Sequence, residues 1–600
     1  MTLALAACET TPASTNAAPT ITAESRAAES ERLFVWFEDV FEEGVSRSPL
    51  YQTQLGRKTD NDKWDQATDE QAAADLAWQL AKLEELRTSF DLDQLDVAGK
   101  LNYRLYEFGV QQAERSFAFR ENGYVFTQRG GAHANIPPFL INFHRVESIE
   151  DAEAYITRLE TFDTYLDQNR EEFEERAGKG VLPPKWAFPQ MLRTARNVIS
   201  GAPFDGGDPS ALMADFSAKI DKLDIDEAAK SNLNARAARA LSTEVKPAYE
   251  RLIETFRQLE KQATNDDGVW KLPDGEGYYN ARIAASTTTD LTADEIHAIG
   301  LRELERLHGD MRSIMAQVGF DGTLQEFFAF LRTDPQFYYP NTDEGRQQYL
   351  DRATDVIDDM KARLDTLFIT KPKADLIVKR VEPFREQAAG IAFYNRPAED
   401  GSRPGIYYVN LYDMATMPIF QLEAIAYHEG APGHHMQIAI GQELDGVPRF
   451  RRFGGYGAYI EGWGLYSEEL PKEIGLYQDP YQDFGRLGLE AWRAVRLIVD
   501  TGLHYKKWTR EEAIDFMVNN APLSEEQARK ETERYVVTPG QATSYMIGKL
   551  KIMELRARAT QELGEDFDLR EFHEVILANG AVPLTILDEL VTAWIAEKKG

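Results

Sequence analysis

The chain has 600 residues, 43% of them apolar and 11% aromatic, and its 99 acidic against 67 basic side chains leave a net charge of -32. Such a composition builds a core, and a length beyond the roughly 250 to 300 residues at which one core stops growing calls for two or more lobes. The acid excess excludes a phosphate-pairing surface for nucleic acid, and no apolar run approaches the roughly 18 to 20 residues of a membrane helix, so a water-soluble body is expected.

Cys8 is the single cysteine, which removes any internal disulfide framework or cysteine-based zinc ribbon. It closes the small, apolar run Leu3-Ala4-Leu5-Ala6-Ala7-Cys8 and is followed by a stretch rich in Ser, Thr, Ala and Pro. Leu5-Ala6-Ala7-Cys8 resembles the lipobox of bacterial lipoproteins, in which the cysteine is lipidated and becomes the mature N-terminus. That resemblance implies residues 1–7 as the remnant of a signal peptide, 8–27 as a flexible tether and 28–600 as the folded domain of a periplasmic lipoprotein. The sequence departs from the pattern in having no basic segment before the short apolar run.

From about Ala28 the dominant period is helical. Tyr155, Leu159, Phe162 and Leu166 recur at steps of four and three after the capping pattern Ser148-Ile149-Glu150-Asp151, and Gly178 can end that helix. Thr292-Ala293-Asp294-Glu295 is a capping box opening a helix with Ile296, Ile299, Leu304, Leu307, Met311 and Ile314 on its apolar side. Gly405-Ile406-Tyr407-Tyr408-Val409-Asn410-Leu411 is a β-branched and aromatic run with Pro404 before it, the clearest strand in the chain. Met417-Pro418 can open a further helix, Ser524-Glu525-Glu526-Gln527 repeats the capping box, and Thr538-Pro539-Gly540 breaks the chain before a helix over 541–563 that Gly564 can cap. A mainly α body with a small sheet and no internal linker is expected.

Three of the nine histidines fall in Tyr427-His428-Glu429-Gly430-Ala431-Pro432-Gly433-His434-His435-Met436-Gln437. Neutral imidazole is the commonest zinc ligand, and a Glu after a ligand His can serve as general base. In the His-Glu-x-x-His helix of zinc peptidases the second His would stand at 432, which here is proline. On an unbroken helix His428 and His434 lie about 9 Å apart axially and about 120° apart around it, and His428 and His435 about 10.5 Å apart, so neither pair could share an ion. Pro432 removes the N–H that would bond the His428 carbonyl, and Gly430 and Gly433 relax the backbone beside it. A two-residue bulge places His434 in the position of the usual second ligand; a three-residue bulge places His435 there.

In Tyr459-Ile460-Glu461-Gly462-Trp463-Gly464-Leu465-Tyr466-Ser467-Glu468-Glu469, Glu461 stands 27 residues after His434 among apolar neighbours and offers a third ligand. Glu468, two turns along the same face, is either a partner for a ligand or the ligand itself, and Glu469 is expected to face solvent.

The signatures His428-Glu429-x-x-Pro432-Gly433-His434-His435-x-Gln437, Glu461-Gly462-Trp463-x-x-Tyr466-x-Glu468 and Pro539-Gly540-Gln541-Ala542-x-x-Tyr545-x-x-Gly548 resemble the bacterial domain of unknown function family 885, from about residue 292 to 556 and more weakly upstream. That family looks related to helical gluzincin zinc metallopeptidases, which implies a large two-lobed helical fold with a small β-sheet beside a deep cleft. In thimet oligopeptidase-like enzymes the second ligand follows Gly in His-Glu-x-Gly-His, and dipeptidyl peptidase III-like enzymes carry one more residue; Gly433-His434 extends that series by another. The resemblance therefore favours Zn2+ on His428, His434 and Glu461, with Glu429 as base. His435 then assists a ligand or meets substrate.

Tyr545 is the first candidate for an oxyanion donor. Arg496, Asp500 and His504 stand at four-residue steps on one helical face, so Asp500 could pair Arg496 and turn a catalytic His504 toward the cleft. In zinc peptidases the strand before the metal-bearing helix commonly binds the substrate main chain; this assigns Tyr408 and Asn410, on a strand with a free edge, to substrate binding. His133, His144, His297, His308 and His573 have no metal-spaced neighbour and are expected to be structural. No Gly-x-Ser-x-Gly, Walker or Gly-x-Gly-x-x-Gly motif is present. The expected function is hydrolysis of short peptides; the alternatives are a peptide- or zinc-binding lipoprotein without catalysis and a metal-dependent hydrolase of other amides or esters.

Overall fold

In the computed structural model, which describes residues 22–382, 386, 390–398 and 403–600, the chain is helical from its first described turn. Thr22 accepts from the Ser25 N–H and opens Ala23–Ser46, so helix begins inside the 8–27 segment expected as a tether. Cys8 lies outside the described residues. Helix accounts for 70% of the chain against one three-stranded sheet, which makes the fold mainly α. No helix among the described residues is long and apolar enough to cross a membrane.

Two large cores form, as the length requires. One gathers Phe126, Phe173, Phe188, Phe216, Tyr249 and Phe256 from the N-terminal half. The other runs from Val269 to Ile595 and also takes in Leu101 and Leu105. Tyr155, Leu159, Phe162 and Leu166 are all fully buried in the first core. They belong to two helices, Ile149–Glu160 and Phe162–Gly178, because Thr161 leaves the helical region between them.

Seven helices of the second core frame the site: α1 (Ala293–Gln317), α2 (Ile419–Glu429), α3 (His434–Glu443), α4 (Gly457–Ser467), α5 (Pro480–His504), α6 (Glu525–Val537) and α7 (Ser544–Leu563). Thr292 and Glu295 close the capping box of α1, and Ser524 and Gln527 that of α6, each N3 amide bonding to the cap hydroxyl while the N3 side chain accepts from the cap amide. α5 is buried continuously from Phe484 to His504 and packs against α1, α2, α6 and α7, which makes it the axis of this half. After Thr538-Pro539-Gly540 the chain takes a short 3₁₀ turn over Gln541–Thr543 before α7 begins, and Gly564 ends α7 with a positive φ.

The sheet comprises β1 (Leu376–Arg380), β2 (Ala392–Asn395) and β3 (Gly405–Val409) in the order β1-β3-β2. β3 pairs parallel to β1 and antiparallel to β2, with Tyr408 between Lys379 and Phe393. The expected strand is therefore present but central, and its N–H and C=O groups are spent on two neighbours rather than offered to a substrate. Tyr408 and Asn410 are likewise engaged internally. The Tyr408 ring stacks on Phe393 at 5.0 Å and its hydroxyl donates to Glu382, while Asn410 donates to the Glu386 carbonyl and accepts from the Tyr412 N–H.

The five histidines expected to be structural are packed or half-packed into the fold. His144 meets Asn61, Arg158 and the Asp151 carbonyl, His297 meets Thr501, His308 the Asn520 carbonyl, and His573 the Leu367 carbonyl and Tyr466 hydroxyl. His133 sits between the rings of Phe126 and Phe256.

α4 and α7 cross at a pair of glycines. A Cβ on Gly548 would lie 1.8 Å from the Ala458 carbonyl oxygen, and one on Gly462 would lie 2.5 Å from Gly548. Gly548→Ala should accordingly lower the stability of the folded chain by about 1–3 kcal/mol through overpacking, read as a drop in thermal midpoint. An unchanged midpoint would refute this close crossing.

Candidate metal centre

The break that the sequence puts between the histidines is realised as two separate helices rather than as a bulge within one. α2 stops at Glu429, where the Gly430 N–H makes the last helical bond to Ala426. The chain turns through a cis Ala431–Pro432 peptide and restarts helically at His434, with the Gln437 N–H bonding to Gly433. Gly433 passes so near α2 that a Cβ there would lie 2.1 Å from the His428 carbonyl oxygen. The indole N–H of Trp463, on α4, donates to the Pro432 carbonyl at 2.9 Å and ties the turn to α4.

This turn sets His434 against His428, their ring centres 4.6 Å apart and nearly perpendicular. From α4 the Glu461 carboxylate comes within 3.5 Å of His434 Nε2 and 3.7 Å of His428 Nε2. One donor atom from each residue lies within 4.8 Å of the others. The His428 ring rests on Gly464, whose Cβ, if present, would stand 2.7 Å from the ring. The other ring nitrogen of His428 bonds to the buried Glu468 carboxylate at 2.8 Å. Both histidines are nearly enclosed, whereas 22% of the Glu461 side chain is exposed, so the cage opens past the carboxylate.

The donor set suits zinc. Ligands 2.0–2.1 Å from a tetrahedral ion stand about 3.3 Å from one another, and the Glu461 separations are within a few tenths of an ångström of that value. His428 also has the carboxylate partner on its far nitrogen that ligating histidines ordinarily use to fix their tautomer. The electrostatics favour positive charge: burial alone would lower His428, yet hydrogen bonding to Glu461 and Glu468 raises it to about 9. Burial likewise opposes ionisation of Glu461, and the two histidines overcome it and hold the carboxyl well below its usual range.

Of the two alternatives for the second position, the fold brings His434 into the cage and turns His435 away. His435 Nδ1 meets the Tyr394 hydroxyl at 3.0 Å and Nε2 the Ala374 carbonyl at 3.1 Å, so neither nitrogen is free to ligate. Glu468 supports His428 instead of forming the third apex, and Glu469, expected in solvent, pairs with the buried Lys549 at 2.8 Å. Glu429 ends α2 half-buried beside His428, and its charge bears on both His428 and Tyr407.

Tyr545, in the first turn of α7, reaches the same neighbourhood. Its phenol is raised first by burial and next by the charge of Glu461, and the Arg496 guanidinium lies 4.4 Å over its ring.

His504 does not face the cage. Its Nδ1 accepts from the Val269 N–H at 3.1 Å and its Nε2 bonds to the Tyr535 carbonyl at 3.0 Å, while burial pushes its pKa down to about 4, so a catalytic role is replaced by a packing one. Asp500 turns toward neither His504 nor Arg496. It accepts from the Tyr279 hydroxyl and the Gly540 N–H, clasping the turn that starts α7. Arg496 pairs with Glu531 and the Tyr535 hydroxyl.

Sequence reasoning missed Trp463, Gly464 and Arg493. Trp463 and Gly464 stood within the Glu461 motif, but what they touch depends on the packing of α4 over the turn. Arg493 precedes Arg496 by three residues, so it adjoins the face of the Arg496-Asp500-His504 ladder without falling on its four-residue steps, and the ladder passed it over.

A family model described as bacterial protein of unknown function, DUF885, matches residues 49–591. The chain belongs to that family. The match extends well beyond the 292–556 region that carries the DUF885 motifs. Among solved structures, a candidate lipoprotein from Colwellia psychrerythraea is 33% identical over 95% of this chain and 99% of its own, with a TM-score of 0.86. A candidate lipoprotein of unknown function from Shewanella oneidensis shares the fold at 19% identity, with a TM-score of 0.74 over 93% of this chain and 99% of its own. Among curated proteins none matches this DUF885 chain.

Two measurements follow from the side chains around the cage. Glu468→Gln should weaken zinc binding by about 10- to 100-fold and His435→Ala should leave it unchanged, as measured by competition with a chelating dye. The reverse pattern would place the ion elsewhere. Because the folded pKa of His504 is depressed, the unfolded chain binds the extra proton between pH about 6.5 and about 4, and stability falls as pH falls through that window. The stability advantage of the parent over His504→Gln should be constant above pH about 7 and shrink by roughly 3 kcal/mol toward pH 4 in denaturant titrations. A difference independent of pH would mean that the fold leaves the titration of His504 unchanged.

Proposed function

We propose that this DUF885 protein is a zinc-dependent metallopeptidase that hydrolyses short peptides and is held at the bacterial cell envelope by a lipid on Cys8. The observation that carries the reading is the convergence of His428, His434 and Glu461 beside Glu429. Two imidazoles and a carboxylate with an open side match the three-ligand sets of catalytic rather than structural zinc sites. Zinc held there would polarise a carbonyl and make water nucleophilic near neutral pH.

The chain's own residues have separable tasks in this reading. Glu429 takes a proton from the attacking water and returns it to the leaving amine. Glu468 fixes the ring of His428. Tyr545 donates a hydrogen bond to the carbonyl oxygen as negative charge develops on it. The lipid anchor is supported by the Leu5-Ala6-Ala7-Cys8 run and by the description of the Colwellia relative as a candidate lipoprotein.

Glu429→Gln should keep its zinc and lose about 10²- to 10⁴-fold in kcat/KM on short peptides, and Tyr545→Phe should lose about 10²- to 10³-fold mainly in kcat. Peptidase assays paired with metal analysis check both. Undiminished turnover by Glu429→Gln refutes its role as base, absence of peptide hydrolysis by the zinc-bound parent favours a binding protein, and hydrolysis confined to esters removes the peptidase reading.

A further inference from the structure

Arg493 on α5 is 8% exposed and lies over the Trp492 ring, but is short of hydrogen-bond acceptors. Of the five N–H donors of its guanidinium, one is used, from Nη1 to the Leu489 carbonyl at 3.2 Å. Nε is buried with no acceptor, and the nearest carboxylate oxygen, on Glu468, is 4.0 Å away, beyond hydrogen-bonding distance, and already bonded to His428. A buried cation left in this state is costly, and folds ordinarily pair it or reserve it for a ligand.

One turn along α5, Arg496 is 5% exposed and its Nη1 is also buried without an acceptor. Its other groups are committed to Glu531 and Tyr535, and Glu531 also answers Arg534 at 2.9 Å, so one carboxylate serves two arginines. Both Arg493 and Arg496 lie over the Tyr545 ring, at 5.9 and 4.4 Å from its centre. Tyr545 in turn stands near the α4–α7 crossing, where Glu461 precedes Gly462 and Tyr545 lies one turn before Gly548. This leaves two guanidinium groups with unspent donors next to the metal cage.

We propose that Arg493, with the free Nη1 of Arg496, forms a subsite beside the cage that binds the terminal α-carboxylate of a short peptide. The proposal rests on the peptidase reading and narrows it: cleavage would fall close to the free C-terminus, with Tyr545 lying between the carboxylate subsite and the scissile carbonyl. A planar guanidinium with unspent donors matches a carboxylate in a way a lysine does not. An aspartate side chain offers the same group, so the two sources must be compared directly.

Calorimetric titration of the zinc-loaded Glu429→Gln protein with trialanine, trialanine amide and Ala-Asp-Ala amide separates them. Trialanine should bind about 10- to 100-fold more tightly than its amide, the range of charge-assisted hydrogen bonding, and Arg493→Met in the same background should erase that preference while Arg493→Lys restores part of it. Equal binding of acid and amide overturns the subsite, and tight binding of Ala-Asp-Ala amide alone overturns the assignment to a chain terminus. If Arg493 serves merely to offset the charge of Glu468, its replacement changes zinc affinity and leaves the acid-to-amide ratio as it was. Should Arg493→Met fail to fold, the acid and amide comparison in the parent background still decides. Hydrolysis by the parent enzyme is scored separately. A binding preference without hydrolysis removes the peptidase reading alone, and hydrolysis without the preference removes the subsite alone.

Discussion

The whole arrangement depends on a helix that cannot continue. Six residues of regular helix would hold His428 and His434 about 9 Å apart along the axis, and no single ion could reach both. Pro432 denies the hydrogen bond that would continue α2, and Gly433 lets the returning chain pass within atomic contact of the His428 carbonyl. Trp463 then fixes the turn from the outside. Because Trp463 follows Glu461 by two residues on α4, the helix that holds the turn in place also presents the third candidate ligand.

Burial is used differently at the several ionisable groups around this turn. At His428 and Glu461 mutual hydrogen bonding outweighs the cost of burying charge, so each holds the other in its charged form. At His435 and His504 burial prevails and the rings are neutral, bonded to backbone groups and, at His435, also to the Tyr394 hydroxyl, with pKa values near 4. His428, His434 and His435 stand within eight residues of one another, yet of these three His428 and His434 alone face the shared Glu461 carboxylate. Glu468 connects the two regimes, since it is wholly enclosed and still holds the His428 ring in place.

How much could be read in advance follows the range of the interactions involved. The capping boxes at Thr292 and Ser524, the Pro418 start and the Gly564 end of the long helices were legible because each is decided within four residues. The histidine cluster and Glu461 were legible as chemistry, while the choice between His434 and His435 was not settled by spacing, because it turns on the direction in which α3 leaves the break. The β3 run was recognisable as a strand, but its central place depends on β1 and β2 pairing to either side, and Tyr408 and Asn410 went wrong with it. The Arg496-Asp500-His504 ladder correctly put three residues on one face. Helical periodicity could not show that Asp500 and His504 on this face meet the Gly540 turn, α6 and the Val269 backbone instead of an open site.

The central claim is that one divalent ion sits between α2, α3 and α4. Crystals of the full chain grown with zinc and measured on both sides of the zinc absorption edge test it most directly. A single anomalous peak about 2.0–2.1 Å from Nε2 of His428, Nε2 of His434 and a Glu461 oxygen is the predicted result. Strong peaks elsewhere with none in this cage, or a peak bound by His435, would contradict it.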